Sequence, residues 1–172
     1  MNNPFVLPAL LQDLHEKAYT IHTFKSGSCL LKEGDATNQV FIIFNGKVVL
    51  KKRVRSGKEL SIQVLSNHEI AGASLLFSDG KKQSLSAYAL EKTEGAMVTT
   101  DELEKALLRN GKAAIEYIKW LTKEQRKMET KLRDLLLYGK KGALYSTLIR
   151  LSNSYGVDTE TGIALSIKLT NQ

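Results

Sequence analysis

From Tyr19 to Thr99 the hydrophobic pattern breaks and restarts every six to ten residues. Short β-branched or apolar runs occupy Cys29–Leu31, Val40–Phe44, Lys47–Lys52, Leu60–Leu65, Ser84–Leu90 and Gly95–Val98. Turn-forming stretches separate them: Lys25-Ser26-Gly27, Glu33-Gly34-Asp35, Asn45-Gly46, Ser56-Gly57 and Asp79-Gly80. Asn-Gly between two strand-like runs predicts a hairpin, because a type I′ turn needs positive φ at both central residues. Short strands at even spacing predict an antiparallel roll or barrel, an arrangement that leaves few free sheet edges.

After Thr100 the period changes. Asp101–Arg109 reads as a short helix with acids in its first turn, and Gly111 interrupts it. Lys112–Tyr138 then holds no Gly or Pro over 27 residues, which makes about 40 Å of helix at 1.5 Å per residue. Ala114, Ile118, Leu121, Gln125, Met128, Leu132 and Leu135 follow one another in steps of 4, 3, 4, 3, 4 and 3. A 3.5-residue repeat is a coiled-coil seam rather than the broader stripe of a helix lying on a sheet. Ile118, Gln125 and Leu132 take a positions; Ala114, Leu121, Met128 and Leu135 take d. The expectation is a parallel homodimer through this helix, with the polar Gln125 fixing register at some cost in stability. A single amphipathic helix packed on its own domain is the competing reading. Trp120 lies at c, off the seam, which predicts a second buried side turned to the β-domain.

Gly139 follows Tyr138 and marks a hinge, since glycine is enriched just past helix C-termini. Lys140–Tyr155 reads as a new helix, with Leu144, Leu148, Leu151 and Tyr155 on one face. Gly156 ends it, Asp158–Gly162 forms a turn, and Ile163–Leu169 reads as a strand. Thr170 is a good N-cap residue with no helix after it in this sequence. The expected class is mixed α+β. The expected divisions are a β-roll with flanking helices over residues 1–109, a dimerisation helix over 110–138, and a truncated further domain over 139–172.

Composition narrows the function classes. The 172 residues are 42% hydrophobic and 25% charged, ordinary for a globular chain. No apolar run approaches the roughly 18–20 residues that cross a bilayer, and the N-terminus lacks the basic start of a secretory signal. The single cysteine, Cys29, suits a reducing cytoplasm and by itself builds no zinc or iron–sulfur site. The net charge of +7 invites a nucleic-acid reading. Its distribution tempers this: residues 19–100 and 101–141 each carry +4, while 142–172 sum to zero. The densest run, Lys51-Lys52-Arg53-Val54-Arg55, has no interleaved aromatics to stack on bases and reads as a solvated strand edge and loop.

No residue set supports catalysis. His15, His22 and His68 have no metal-ligand spacing, and there is no Gly-x-Ser-x-Gly elbow or P-loop. The one loop with binding character is Glu69–Phe77, followed by Ser84-Leu85-Ser86-Ala87. Its small residues and hydroxyls ahead of a short apolar turn could cradle an anion on backbone N–H groups. A tight turn inside a β-roll explains the same residues.

The order of parts resembles the bacterial cyclic-AMP receptor protein/FNR family of transcription regulators. The parts are an N-terminal helix, a β-roll with Glu33-Gly34-Asp35 and Asn45-Gly46, a long seam helix, a hinge glycine, a second helix and a strand. The stretch from Lys131 to Val157 resembles the Fnr-type oxygen regulators of Gram-positive bacilli in particular. The resemblance implies a cyclic-nucleotide-binding-like jelly roll as sensor, and after it the start of a winged helix-turn-helix domain. It implies an effector pocket opened by a Gly-Glu pair and closed by an Arg-Ser-Ala triplet. Here Gly72 matches but Ala73 replaces the Glu, followed by Ser74. Ser86 and Ala87 match, but Leu85 replaces the Arg. Lys81 or Lys82 would not replace an Arg fork on phosphate, so cAMP binding is not expected. The bacillus-type resemblance also implies a 4Fe–4S cluster with an aspartate ligand at the end of the long helix, matched by Asp134. Its cysteine ligands would lie beyond Gln172, so no cofactor is expected on this chain alone. DNA would likewise be bound only by the full-length protein, with Lys140 and Lys141 able to touch phosphate at the hinge. A stand-alone small-ligand-binding module of the same fold is the alternative.

Overall fold

The computed structural model describes Leu10, Leu14 and residues 19–54, 56–80 and 82–165. Lys81, Arg55, His15 and the expected strand beyond Leu165 lie outside these described residues. The chain falls into two compact units, residues 1–119 and 120–172.

The first unit is a β-roll of two four-stranded antiparallel sheets. Its strands are β1 (Tyr19–Phe24), β2 (Cys29–Leu31), β3 (Gln39–Asn45), β4 (Val48–Arg53), β5 (Glu59–Leu65), β6 (Ile70–Ala71), β7 (Ser86–Ala89) and β8 (Thr93–Thr99). One sheet has the order β1-β8-β3-β6 and the other β2-β7-β4-β5. Phe41, Ile43, Val48, Leu65, Ala71, Ala87 and Leu31 form the buried core. Val40 and Ile42 are also fully buried, so β3 is covered on both faces. That explains why its sequence, Val-Phe-Ile-Ile-Phe, is continuously apolar rather than alternating. Phe24 packs edge-on to Phe41 at 5.4 Å between ring centres.

Asn45-Gly46 is not the expected hairpin. It carries the chain from β3 in one sheet to β4 in the other. Among the described residues Gly46 has φ 109° while Asn45 stays at negative φ, so the turn is not type I′. Gly46 N–H donates to Asn67 Oδ1 at 2.9 Å, and a Cβ there would lie 2.8 Å from Lys92 O. The glycine serves a close backbone approach, not a two-residue loop. The true hairpin joins β4 to β5, closed by Val54 N–H on Lys58 O at 2.9 Å. Of the basic run that opens this hairpin, Lys51 lies inside the sheet, paired with Ser86 of β7 and Ser61 of β5, while Lys52 and Arg53 pair with β5 alone and are exposed. β4 lies between β7 and β5, Lys51 pairs with Glu59 at 3.1 Å, and Lys52 pairs with Glu33 at 2.6 Å.

Helix α1 (Thr100–Arg109) starts on a side-chain cap, with Glu102 N–H donating to Thr99 Oγ1 at 3.2 Å. It packs on β8. Asn110 then separates α1 from α2 (Gly111–Tyr155): its Oδ1 accepts from Lys112 N at 3.1 Å and Ala113 N at 3.2 Å. The interruption expected at Gly111 is thus made by Asn110, and Gly111 is the first residue of the long helix.

The second unit contains most of α2 and a hairpin of β9 (Gly156–Thr159) and β10 (Gly162–Leu165). The expected turn over Asp158–Gly162 is narrower than predicted, because Asp158 and Thr159 already pair with Ile163 and Gly162. Helix α2 is broken at one residue. Gly139 has φ 62° and ψ −167°, backbone angles that in practice only glycine adopts.

Candidate functional site

The expected effector-pocket residues come from two places in the roll. Gly72 sits at φ 84° and ψ 8° ahead of a single 3-10 turn, Ala73–Leu75. Ala73 is half-buried there and Ser74 exposed; Leu85, half-buried, leads into β7, where Ser86 and Ala87 are buried. The structure ties the two segments together, with Ser74 Oγ 3.0 Å from Ser84 Oγ. Much of the polar surface that would face a ligand is already used. Ser86 Oγ accepts from Glu33 N–H at 3.0 Å. The Glu33 carboxylate holds Lys52 Nζ at 2.6 Å and accepts from Arg53 N–H at 2.9 Å. The Lys52 bond, followed by the Arg53 amide, keeps the Glu33 carboxyl below its ordinary pKa. Lys52 Nζ donates in turn to Ser84 O at 3.0 Å.

Gln83 closes the Gly72 side. It is 3% exposed, and its Nε2 donates to Gln39 O at 3.0 Å. Its backbone is stitched to the β2–β3 loop through Gln83 N–H on Asp35 O (3.1 Å) and Gly34 N–H on Gln83 O (2.9 Å). Sequence reading missed Gln83 and Glu33. Neither belongs to a periodic stripe, and a lone buried amide carries no pattern. An open surface cleft of about 460 Å³, between Gly46, Asn67, His68 and Glu91, lies apart from every expected pocket residue. His22 donates to or accepts from Thr20 Oγ1 at 2.8 Å and stacks on Phe24. Among the described residues no three His, Cys, Asp or Glu side chains gather as metal ligands. No helix among them is long and apolar enough to cross a membrane.

Along α2, Ile118, Leu121, Gln125, Met128, Leu132 and Leu135 are exposed in the single chain, and Ala114 is half-buried. The five large apolar members range from 42% to 59% exposed. A second stripe is covered instead: Ala113, Tyr117 and Trp120 are buried, and so is Asp134 two heptads on. Gln125 Nε2 donates to Glu129 Oε1 at 2.8 Å.

Asp134 is 3% exposed and tied to cations. Its Oδ2 accepts from Arg150 Nη1 at 2.7 Å. Its Oδ1 accepts from Arg133 Nη2 at 3.1 Å and Nε at 3.3 Å. Arg150 first, then Arg133 and Ser146, hold the carboxyl below its usual pKa against the opposing effect of burial. Nearby, burial and the charges of Arg150 and Lys127 lower the pKa of Lys131. Arg150 lies off the apolar face of its helix, so nothing in the sequence marked it. Lys140 and Lys141 are exposed beside the break.

Comparison with known proteins adds what geometry cannot. Residues 21–110 match the cyclic nucleotide-binding domain. The chain is 41% identical over 162 residues to the anaerobic regulatory protein of Bacillus subtilis (strain 168), covering 94% of this chain and 68% of that protein. It is 23% identical to a CRP-like cAMP-activated global transcriptional regulator of Mycobacterium tuberculosis, covering 84% of this chain and 63% of that one. Among solved structures, the c-di-GMP responsive global regulator CLP of Xanthomonas campestris superposes with a TM-score of 0.74 at 14% identity. That match covers 85% of this chain and 72% of that one, and it supports the fold alone.

Proposed function

The chain belongs to the Crp/Fnr family of transcription regulators and carries its cyclic nucleotide-binding domain, and from that premise we propose that it is the regulatory and dimerisation portion of a DNA-binding regulator. In this reading residues 1–109 are the sensor, 110–138 the dimerisation helix and 139–172 the start of a winged-helix DNA-binding domain. It is not an enzyme: the relatives above are regulators. It works in the cytoplasm, where its target DNA is.

One observation carries the dimer. Five large apolar side chains at heptad spacing stay exposed in the single chain. Exposed apolar seams of this kind are covered by a second helix in coiled coils. Two copies meeting at Ile118, Leu121, Gln125, Met128, Leu132 and Leu135 would cover them. Sedimentation equilibrium tests this. The wild-type chain is expected to be a dimer at micromolar concentration, and Leu121→Asp with Leu132→Asp a folded monomer. A monomeric wild type would overturn it.

The effector is not expected to be cAMP. The positions of the resemblance that would meet the ribose and phosphate hold Ala73 and Leu85, and Gly72 faces Gln83 rather than open space. A redox reading through a 4Fe–4S cluster meets a further difficulty. Such clusters are held mostly by thiolates. The chain has one cysteine, and Asp134 is engaged by two arginines. The residues present do not fit the group. Oxygen sensing by that route would need ligands from outside this chain and Asp134 released from Arg150.

A further inference from the structure

Asp134 and Arg150 are 16 residues apart in one helical element, yet their side chains meet at 2.7 Å. On an unbroken α-helix 16 residues span about 24 Å along the axis. The bond therefore exists only because Gly139 turns the chain between them. It is also built as a fixed contact. Asp134 is buried, and Arg150 Nη2 donates onward to Thr147 Oγ1 at 3.2 Å. Arg150 of the second helical segment, braced by Thr147 beside it, thus holds a carboxylate of the first. Arg133 also binds Asp134, but it is the adjacent residue and crosses no break. A planar guanidinium fork holds a carboxylate in a defined direction, which an ammonium does not.

We propose that Asp134 and Arg150 form a latch across the Gly139 break, which fixes the direction of the Lys140–Tyr155 segment and opens when the pair separates. In the latched arrangement Asp134 acts as the anchor of a hinge. The proposal rests on reading the segment after Gly139 as the part that leads into the DNA-binding domain. It names the contact that must break before that segment is re-aimed.

Limited trypsinolysis reads the latch directly. Lys140 and Lys141 are exposed at the break, and helical backbone must open locally before a protease cuts it. In the dimer as purified, Arg150→Ala is expected to raise cleavage after Lys140 and Lys141 at least about tenfold. Cleavage within residues 19–110 stays at the wild-type rate. Arg150→Lys should lie between the two, and Asp134→Asn should match Arg150→Ala. Arg133→Ala should cleave as the wild type does. Equal rates in Arg150→Ala and wild type overturn the proposal. So does an Arg133→Ala effect as large as that of Arg150→Ala, or cleavage spread through the β-roll in every latch variant. Sedimentation of the same samples separates this outcome from failure of the dimer reading, because the seam residues are untouched.

Discussion

Gly72 and Gln83 stand so close that a Cβ on the glycine would lie 3.0 Å from the amide nitrogen of Gln83. The same Cβ would meet Leu31 Cδ1 at 3.0 Å. The wall of the expected effector pocket is therefore packed by the protein's own side chains at this point. Two effects act together on any substitution: φ of 84° strains an L residue, and the neighbours must give way. Gly72→Ala is expected to cost about 1–3 kcal/mol, visible as a lower urea midpoint with an unchanged slope. Calorimetry on the wild-type chain should show no binding of cAMP at micromolar concentration. Micromolar affinity would mean that Gln83 moves aside and that the missing Arg is replaced from elsewhere.

How much of this could be read in advance differs by element. The strand runs and the helix starting after Thr99 followed from local periodicity, because β3, β4 and α1 each bury one continuous pattern. The heptad spacing along α2 was legible too, and the structure leaves its five large apolar members exposed. The role of Asn45-Gly46 did not, because whether two strands share a sheet is decided by long-range partners such as Lys92 and Thr93, not by the dipeptide. Strands β1 and β6 were also missed. Tyr19–Phe24 is exposed over most of its length, and Ile70–Ala71 has two residues, too few to set a period. At the site, Gly72 and Ser86 were singled out by the family resemblance, and Gly139 was legible as a break after Tyr138. Gln83, Glu33 and Arg150 were not, since each gains its role from a partner at least 16 residues away in the chain.

Gln125 lies among the apolar heptad positions of α2 and bonds to Glu129 of its own helix, and in the proposed dimer it takes an a position. A polar a residue lowers coiled-coil stability while fixing register. Gln125→Leu should therefore tighten dimerisation, by about tenfold or more in the dissociation constant. Sedimentation across a dilution series measures this. Because Gln125 is exposed in the single chain, the substitution should leave the stability of each protomer within about 0.5 kcal/mol. A weaker dimer would show that the helices do not meet at this face.

Tyr117 gives an alkaline signature. Burial, helped by the negative charge of Glu104, pushes its phenol up to about 12 from an ordinary value of 10. The folded protein thus keeps a proton that the unfolded chain has already lost between these values. Stability contributed by the neutral phenol is full below pH 10 and is lost as pH rises toward about 12. At 1.36 kcal/mol per pH unit, the loss is at most about 3 kcal/mol. Tyr117→Phe should flatten this part of the stability profile. Phenolate absorbance should show one tyrosine fewer titrating late in the variant. An unchanged alkaline profile would place the phenol in contact with water.

Gly139 is the one non-helical residue within α2, and a Cβ there would meet no atom within 4 Å. Any effect of Gly139→Ala therefore comes from backbone conformation rather than crowding. Alanine at φ 62° and ψ −167° costs about 1–3 kcal/mol, whereas in a straight helix it is the most favourable residue. The substitution favours a continuous helix through Tyr138 and Lys140. In that geometry Arg150 is carried about 24 Å along the axis from Asp134, and the buried carboxylate loses its partner from across the break. Two observables follow together. Helical circular dichroism holds or rises slightly, while thermal stability of the second unit falls. A variant that loses helicity instead would mean that the break is required for the second helical segment to form at all. A variant with unchanged stability would mean that the Asp134–Arg150 pair does not depend on the glycine conformation.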